Sequence, residues 1–462
     1  MDLRGKRVTV VGLARSGVAA ARFLASREAS VLVTDIKTAE ECRLYLDQLP
    51  STVRTRLGGH HLQDFFDSDL VVLSPGVPAS IEPIQATRKA GIPVWSEVEL
   101  ASRYLKGRFI GITGSNGKTT TTTLVGAMLE RGGIPSIVAG NIGAPLSSFL
   151  LESRQQEEPV LVVELSSFQL ETTESLRCNV ALLLNITPDH MDRYKSFGDY
   201  VEAKERIFKN QTDQDLAVIN LDDPQAARLV PRITAQLFPF SRKLEIENGV
   251  CVRDGYITIK DQDQITPLLQ TSEVRLPGTH NLENALAAVA VSYLVKTPLD
   301  AIAETLRTFS GVEHRLEWVR RLSGVDYYND SKATNVDSAL RALQSFDRPI
   351  IVIMGGLDKA GDFARLVPEL ERRATLVVLI GKAAEKIEKA IGQSVATVRS
   401  GSLEDAVRMA QKYASAGDIV LLAPACASFD MFENFEHRGR VFKECVQALN
   451  NSSNRCQEGA MP

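Results

Sequence analysis

Short apolar runs alternate with stretches of helical periodicity along almost the whole chain, a pattern that favours doubly wound α/β domains on parallel sheets. Strands are expected at 7–11, 31–34, 70–74, 108–113, 160–165, 180–185, 350–354, 376–380 and 419–423. One interruption reads differently: residues 249–260 alternate around Asp254-Gly255, the mark of a β-hairpin. At 462 residues the chain exceeds one ordinary core and fits about three domains of ~150 residues each.

Composition narrows the functional classes. With 44% hydrophobic and 24% charged residues the sequence is that of a globular protein. No stretch approaches the ~20 apolar residues of a membrane helix, and the charged residues 1–6 run straight into a strand. Neither a membrane partner nor a signal peptide is expected, and the cytoplasm is the expected location. Fifty-three basic residues against 57 acidic ones give a net charge of −4, which argues against general nucleic-acid binding. The six cysteines lack CxxC spacing, so neither a zinc site nor a disulfide framework is indicated. Residues 450–462 are polar and aperiodic, and are expected to be disordered.

The most chemically specific segment is GITGSNGKTT, residues 111–120, placed between an apolar strand and a helix beginning near Lys118. Backbone N–H groups freed by Gly114 and Gly117, the helix dipole, the Lys118 ammonium and the Thr119 hydroxyl together suit a phosphate with Mg²⁺. Ile112 stands where the usual P-loop spacing requires glycine, so the loop is a shorter variant. Downstream, Glu164 ends a buried strand, where a carboxylate needs a partner such as Mg²⁺. NITPDHMD, residues 185–192, ends another strand with polar groups; by itself His190 reads as an ordinary loop histidine. Lys204, set among Glu202 and Glu205 in YVEAKERIF, reads as a solvated helix lysine.

Other strand ends carry polar clusters. VVGLARSG followed by Asp35 has the layout of a dinucleotide fingerprint, but Ala14 replaces the middle glycine, disfavouring a bound nicotinamide dinucleotide. Residues 74–78, SPGVP, end the third strand at the same edge. Asn281 and Asn284 lie one helical turn apart and suit a nucleobase edge, or a helix cap. NDSKATN, residues 329–335, offers Asp330 to ribose hydroxyls and Lys332 and Thr334 to an anion. GGLDK at 355–359 and PACASFD at 424–430 fit a further anion-binding loop.

Taken in order, GITGSNGKTT, ELSSFQ, NITPDHMDRY, GTHNLENAL, EHRLE, NDSKATN and LLAPACASFDMFENFEHRGRVF resemble the Mur ligases across about residues 3–449. The last two segments most resemble the member that adds D-glutamate, and no DNPR-type sequence of the diaminopimelate- or lysine-adding member is present. The fold this implies is α/β with three domains. A Rossmann-like N-terminal domain at 1–96 would bind a UDP-sugar, and a central P-loop-type ATPase domain with a mostly parallel sheet, at 97–311, would bind ATP. A Rossmann-like C-terminal domain at 312–449 would bind the amino acid. The implied activity is ATP-dependent amide formation between UDP-N-acetylmuramoyl-L-alanine (UDP-MurNAc-L-Ala) and D-Glu through an acyl phosphate, by a monomer with two Mg²⁺ sites. Domain closure is implied too, with hinges expected near 96–102 and Gly311. A sibling or folylpolyglutamate-type ligase adding another amino acid is the alternative. A nicotinamide-dependent oxidoreductase and a non-catalytic ATP switch are more distant readings.

Carried over by motif, the resemblance assigns ATP to Gly114, Asn116, Gly117, Lys118, Thr119, Thr120, Asn281, Asn284, Arg315 and Asp330. Metal would be held by Thr119, Glu164, His190 and a carbamylated Lys204, which reverses the solvated reading of that lysine. Lys118, Lys204, Lys332 and His190 are the implied catalytic groups. Ser16, Asp35, Ser74, Gly76, Asn141, Ser166 and Gln169 would line the UDP-sugar site, and Thr334, Lys359, Ser428 and Phe435 would frame D-Glu.

Overall fold

The computed structural model describes residues 2–151, 158–189, 194–276, 278–358 and 361–450. They fall into two compact units: the first runs to Phe309 apart from Leu276–Gly278, which belong with the second unit from Ser310 onward. The expected disorder of the tail concerns residues outside this description, save Asn450.

The first unit carries two parallel sheets. In one, the strands run in the order Arg54–Leu57, Ser30–Asp35, Arg7–Val11, Leu70–Leu73, Val94–Ser96. Val11 pairs with Thr34 on one side and Leu73 on the other, so Gly12, Asp35 and Ser74 emerge at one edge. The other sheet runs Gln236–Leu237, Leu216–Ile219, Val180–Leu183, Arg108–Thr113, Val160–Glu164, Ser136–Gly140. Here Ile112 pairs with Glu164 and Thr113 with Leu183, bringing the phosphate loop, Glu164 and Asn185 to one edge. Helices cover both faces, which is why these strands are apolar runs rather than alternating ones. The expected hairpin is present: Gly249–Arg253 and Tyr256–Asp261 pair antiparallel around Asp254 and Gly255, whose φ values of 50° and 79° suit a type I′ turn.

In the second unit a sheet runs Glu317–Leu322, Val325–Asn329, Ile419–Leu422, Ile350–Gly355, Ala374–Ile380, Thr397–Arg399, with only the first strand antiparallel. Leu422 pairs with both Asn329 and Ile353, so Asp330, Ala423 and the Gly355 turn share an edge.

The edge strands add to the expected set. Short strands such as Arg54–Leu57 lack an apolar run because they sit exposed at a sheet edge. The segment 96–102, where a hinge is expected, forms a buried helix, Glu97–Ser102. The Glu99 carboxylate accepts N–H bonds from Glu174, Ser175 and Leu176 and an Arg103 bond at 2.7 Å, fixing this segment to a distant loop.

Candidate active site

The strand Arg108–Thr113 delivers the chain into a tight loop, and the helix Lys118–Arg131 leaves it. Two left-handed or extended glycines make the turn, Gly114 at φ 157° and Gly117 at φ 82°. A Cβ on Gly117 would lie 2.1 Å from Asn284 Oδ1, so only glycine lets the loop approach that amide. Asn284 Nδ2 donates to Asn281 Oδ1 at 3.3 Å, which places the expected amide pair against the loop. The first intrahelical bond runs from Thr121 N–H to Gly117 O. The N–H groups of Lys118, Thr119 and Thr120 therefore have no intrahelical acceptor, as an anion site requires.

Asn116 is tied back to the neighbouring strand end. Its N–H donates to Asn185 Oδ1 at 2.8 Å, and Ser115 N–H donates to Asn185 O at 2.9 Å. The Asn116 N–H therefore already has an acceptor within the protein.

Lys118 and Lys204 converge on one oxygen: each Nζ donates to the Gly114 carbonyl at 2.8 Å. Lys204 is only 1% exposed, which overturns its reading as a solvated lysine. Its helix, Phe197–Glu205, packs so that Glu202 and Glu205 face elsewhere while Lys204 lies over the Tyr200 ring at 4.7 Å. Burial pushes its ammonium well below the ordinary range, and Lys118 pushes the same way against the attraction of Asp189 and Glu164. Burial thus favours loss of the Lys204 proton.

Glu164 is 1% exposed. Its Oε1 accepts from Asn141 Nδ2 at 2.9 Å, while Oε2 is a buried oxygen without a hydrogen-bond partner among the described residues. An orphaned carboxylate oxygen that interacts electrostatically with Lys204 is a fitting donor for a cation. No three His, Cys, Asp or Glu side chains cluster as metal ligands among the described residues, and His190 lies outside them. Ser166 and Gln169 form a capping box, which leaves Gln169 Nε2 buried and without a partner there.

At the first sheet's edge, Asp35 accepts from Leu13 N–H at 2.6 Å and from Lys37 N–H at 2.9 Å, shaping the turn. Ser74 Oγ donates to Gly12 O at 2.9 Å, Ser16 is half-buried, and Gly76 is exposed. Both Asp35 oxygens therefore already hold backbone.

In the second unit, Asp330 follows the strand Val325–Asn329 and is buried. Burial pushes its carboxyl up to about 7, opposed by Arg315, the Leu316 N–H and Lys332, which puts those cations beside it. Lys332 N–H donates to His314 O at 3.0 Å, and its ammonium lies 5.7 Å from the Phe435 ring centroid. Ser428 is buried, Thr334 half-buried, and Lys359 lies outside the described residues.

Sequence reasoning missed the support of this edge. Arg438, 1% exposed, donates to Ser331 Oγ at 3.0 Å, Ser331 O at 2.9 Å and Cys426 O at 3.2 Å. It joins the Asp330 and Ser428 loops, and burial lowers its pKa to about 10. Asn329 Nδ2 lies 3.0 Å from His314 Nδ1, and burial lowers the His314 pKa. A Cβ on Gly439 would lie 2.2 Å from that Nδ1. A buried arginine in EHRGRVF was the available signal.

Residues 112–292 match the Mur ligase middle domain, 314–426 the Mur ligase glutamate ligase domain, and 6–96 the MurD-like N-terminal domain of Mur ligases. The chain is 49% identical over 451 residues to the UDP-N-acetylmuramoylalanine–D-glutamate ligase of Acidobacterium capsulatum, covering 97% of each. It is 46% identical to the Koribacter versatilis protein of the same name, covering 97% of this chain and 99% of that one. The chain belongs to the Mur ligase family.

The MurF ligase of Thermotoga maritima, solved in complex with ADP, shares the fold of this Mur ligase. Its TM-score is 0.58 at 17% identity, over 97% of this chain and 99% of that one. No helix among the described residues of this Mur ligase is long and apolar enough to cross a membrane.

Proposed function

We propose that this chain joins D-glutamate to UDP-MurNAc-L-Ala, driven by ATP, in peptidoglycan precursor synthesis, acting as a cytoplasmic monomer. The observation that carries this reading is near full-length identity of 46–49% to ligases of that name. The convergence of Lys118 and Lys204 beside Glu164 supports it chemically. In functional terms we divide the chain into 1–96 for the UDP-sugar, 97–311 for ATP and 312–449 for D-Glu.

A carboxylate resists attack by an amine because it would have to expel oxide. Transfer of the γ-phosphoryl group forms an O–P bond to the alanyl carboxylate and releases ADP. The D-Glu amine, having lost a proton, then forms the C–N bond, and the tetrahedral intermediate collapses by breaking C–O and expelling phosphate. The protein's share is placement and neutralisation of charge.

In the first unit, the N–H groups of Lys118, Thr119 and Thr120 and the Lys118 ammonium would take the phosphates on the Gly114–Gly117 loop, with the Asn116 side chain beside them. Asn281 and Asn284 would take the adenine. Ser16, Asp35, Ser74 and Gly76 would meet the uridine diphosphate, and Asn141, Ser166 and Gln169 the sugar and alanyl portion. The unpartnered Gln169 Nε2 supports the last assignment.

In the second unit, Asp330 and Arg315 would meet the ribose, and Lys332 the transferred phosphoryl group. Thr334, Lys359, Ser428 and Phe435 would frame D-Glu, cations and hydroxyls pairing with its carboxylates.

Thr119 and Glu164 would hold one Mg²⁺, and Glu164, His190 and a carbamylated Lys204 a second. When bound, Mg²⁺ supplies positive charge to the phosphate oxygens. The burial of Lys204, which pushes its ammonium toward losing its proton, supports carbamylation: the deprotonated nitrogen would add to CO₂ and shed a proton, leaving an anionic carbamate.

The test is phosphate release with ATP, Mg²⁺ and UDP-MurNAc-L-Ala, comparing D-Glu with L-Glu, L-Ala and diaminopimelate. Release that requires D-Glu, with the matching mass increase of the nucleotide, is expected. Release that requires another amino acid would replace this reading with a sibling activity.

A further inference from the structure

The phosphate loop is fastened to the strand-end segment 185–187 by two side chains that pair reciprocally with backbone. Asn185 Oδ1 accepts from Asn116 N–H at 2.8 Å, and Asn185 Nδ2 donates to Asn116 O at 3.1 Å. In the opposite direction, Ser115 Oγ donates to Thr187 O at 2.9 Å and accepts from Thr187 N–H at 3.0 Å. Between these pairs Ser115 N–H donates to Asn185 O at 2.9 Å. A hydroxyl has one hydrogen, and that of Ser115 is committed to Thr187 O, so the Tyr200 hydroxyl, 2.9 Å away, donates to Ser115 Oγ.

The chain between Gly114 and Gly117 follows neither helix nor strand, and two glycines give it many alternative conformations. Buried backbone groups there need partners, and the Asn185 amide is the side chain that satisfies both groups of one residue with a planar donor and acceptor. Residue 185 follows the strand Val180–Leu183, whose pairing with Arg108–Thr113 sets the height at which the amide meets the loop.

We propose that Asn185 is a positioning residue for ATP: by pairing its amide with both backbone groups of Asn116, it holds the phosphate loop in its anion-receiving conformation. The same bonds divert the Asn116 N–H from the phosphate and leave the helix-start N–H groups as its receivers. Loss of the clasp weakens ground state and transition state alike, so it raises KM for ATP and largely spares kcat.

This inference rests on the reading of the loop as the ATP phosphate site. The experiment therefore uses full-length wild type, Asn185→Leu, which keeps the branching at Cγ and removes both bonds, and Asn185→Ala. Affinity for ADP and ATP is measured by calorimetry, with KM for each of the three substrates and kcat, and circular dichroism verifies folding. Two lost bonds predict ATP binding weaker by about 10–30-fold in both variants. KM for UDP-MurNAc-L-Ala and D-Glu should stay within about twofold, a selectivity that general destabilisation would not produce. Wild-type ATP affinity and KM in folded Asn185→Leu would overturn the positioning role. A wild-type chain that binds no nucleotide would instead overturn the ATP reading itself. If Asn185→Leu fails to fold, Asn185→Ala decides by the same numbers. Failure of both to fold would refute a role specific to ATP.

Discussion

Replacing Gly117 by alanine should separate backbone strain from loss of the nucleotide site. At φ 82° an L-residue costs about 1–2 kcal/mol relative to glycine. The added Cβ would lie 2.1 Å from Asn284 Oδ1, so the buried amide must move and its 3.3 Å bond to Asn281 is lost. That bond contributes about 1 kcal/mol, giving a combined cost of about 2–3 kcal/mol. Part of it should appear as lower stability in urea, and the part relieved by movement of the loop should appear as weaker ADP binding. Gly133 supplies the control. It lies just beyond the C-terminal end of the same helix at φ 70°, with nothing within 4 Å of an added Cβ. Gly133→Ala should lose about 1–2 kcal/mol of stability from strain and keep its ADP affinity. Urea titration and calorimetry on both variants measure the two quantities. If Gly117→Ala matched Gly133→Ala in ADP affinity and in stability, the packing of Asn284 against the loop would have no energetic meaning.

Three further outcomes are expected. Lys204→Ala should lose activity by about 100-fold or more, and short-chain carboxylic acids should restore part of it by supplying the missing anion; a folded variant indifferent to such acids would count against the carbamate. Glu97 is fully buried with its pKa raised above 4.5 by burial, opposed by its bonds to Ser147. The neutral acid is the form the fold favours, so its contribution is complete below pH 4.5 and is lost as pH rises toward the folded value. Glu97→Gln should therefore exceed wild type in stability at pH 8, with the difference closing toward pH 4; a pH-independent difference in urea midpoints would exclude that ionisation. Arg438→Ala should cost about 3–5 kcal/mol, since it opens a cavity and strips the donors from Ser331 and Cys426, and a loss below 1 kcal/mol in urea would contradict the bonding described.

Much of the scaffold could be read from local pattern. Strand runs of Val, Ile and Leu, the Asp254-Gly255 turn and the Gly114–Gly117 loop all declare themselves to their immediate neighbours. Exposed edge strands such as Arg54–Leu57 did not, because a strand paired on one side needs no apolar run. Arg438 and His314 lie in segments the sequence singles out, but their supporting roles did not show, since their partners are distant along the chain: Asn329 is 15 positions from His314, and Ser331 is 107 from Arg438.

By itself the sequence determined the order of strands and helices, the conformational freedom of the phosphate loop and the family. Those follow from bonded geometry and from patterns within a few residues. Only the tertiary structure decided the state of Lys204, whose neighbours in sequence are polar and whose neighbour in space is the Gly114 carbonyl, 90 residues away. It likewise decided that Asn116 is held by Asn185 and that Glu164 keeps one oxygen unpartnered among the described residues. Desolvation and hydrogen bonding act between groups that folding brings together, whatever their separation along the chain.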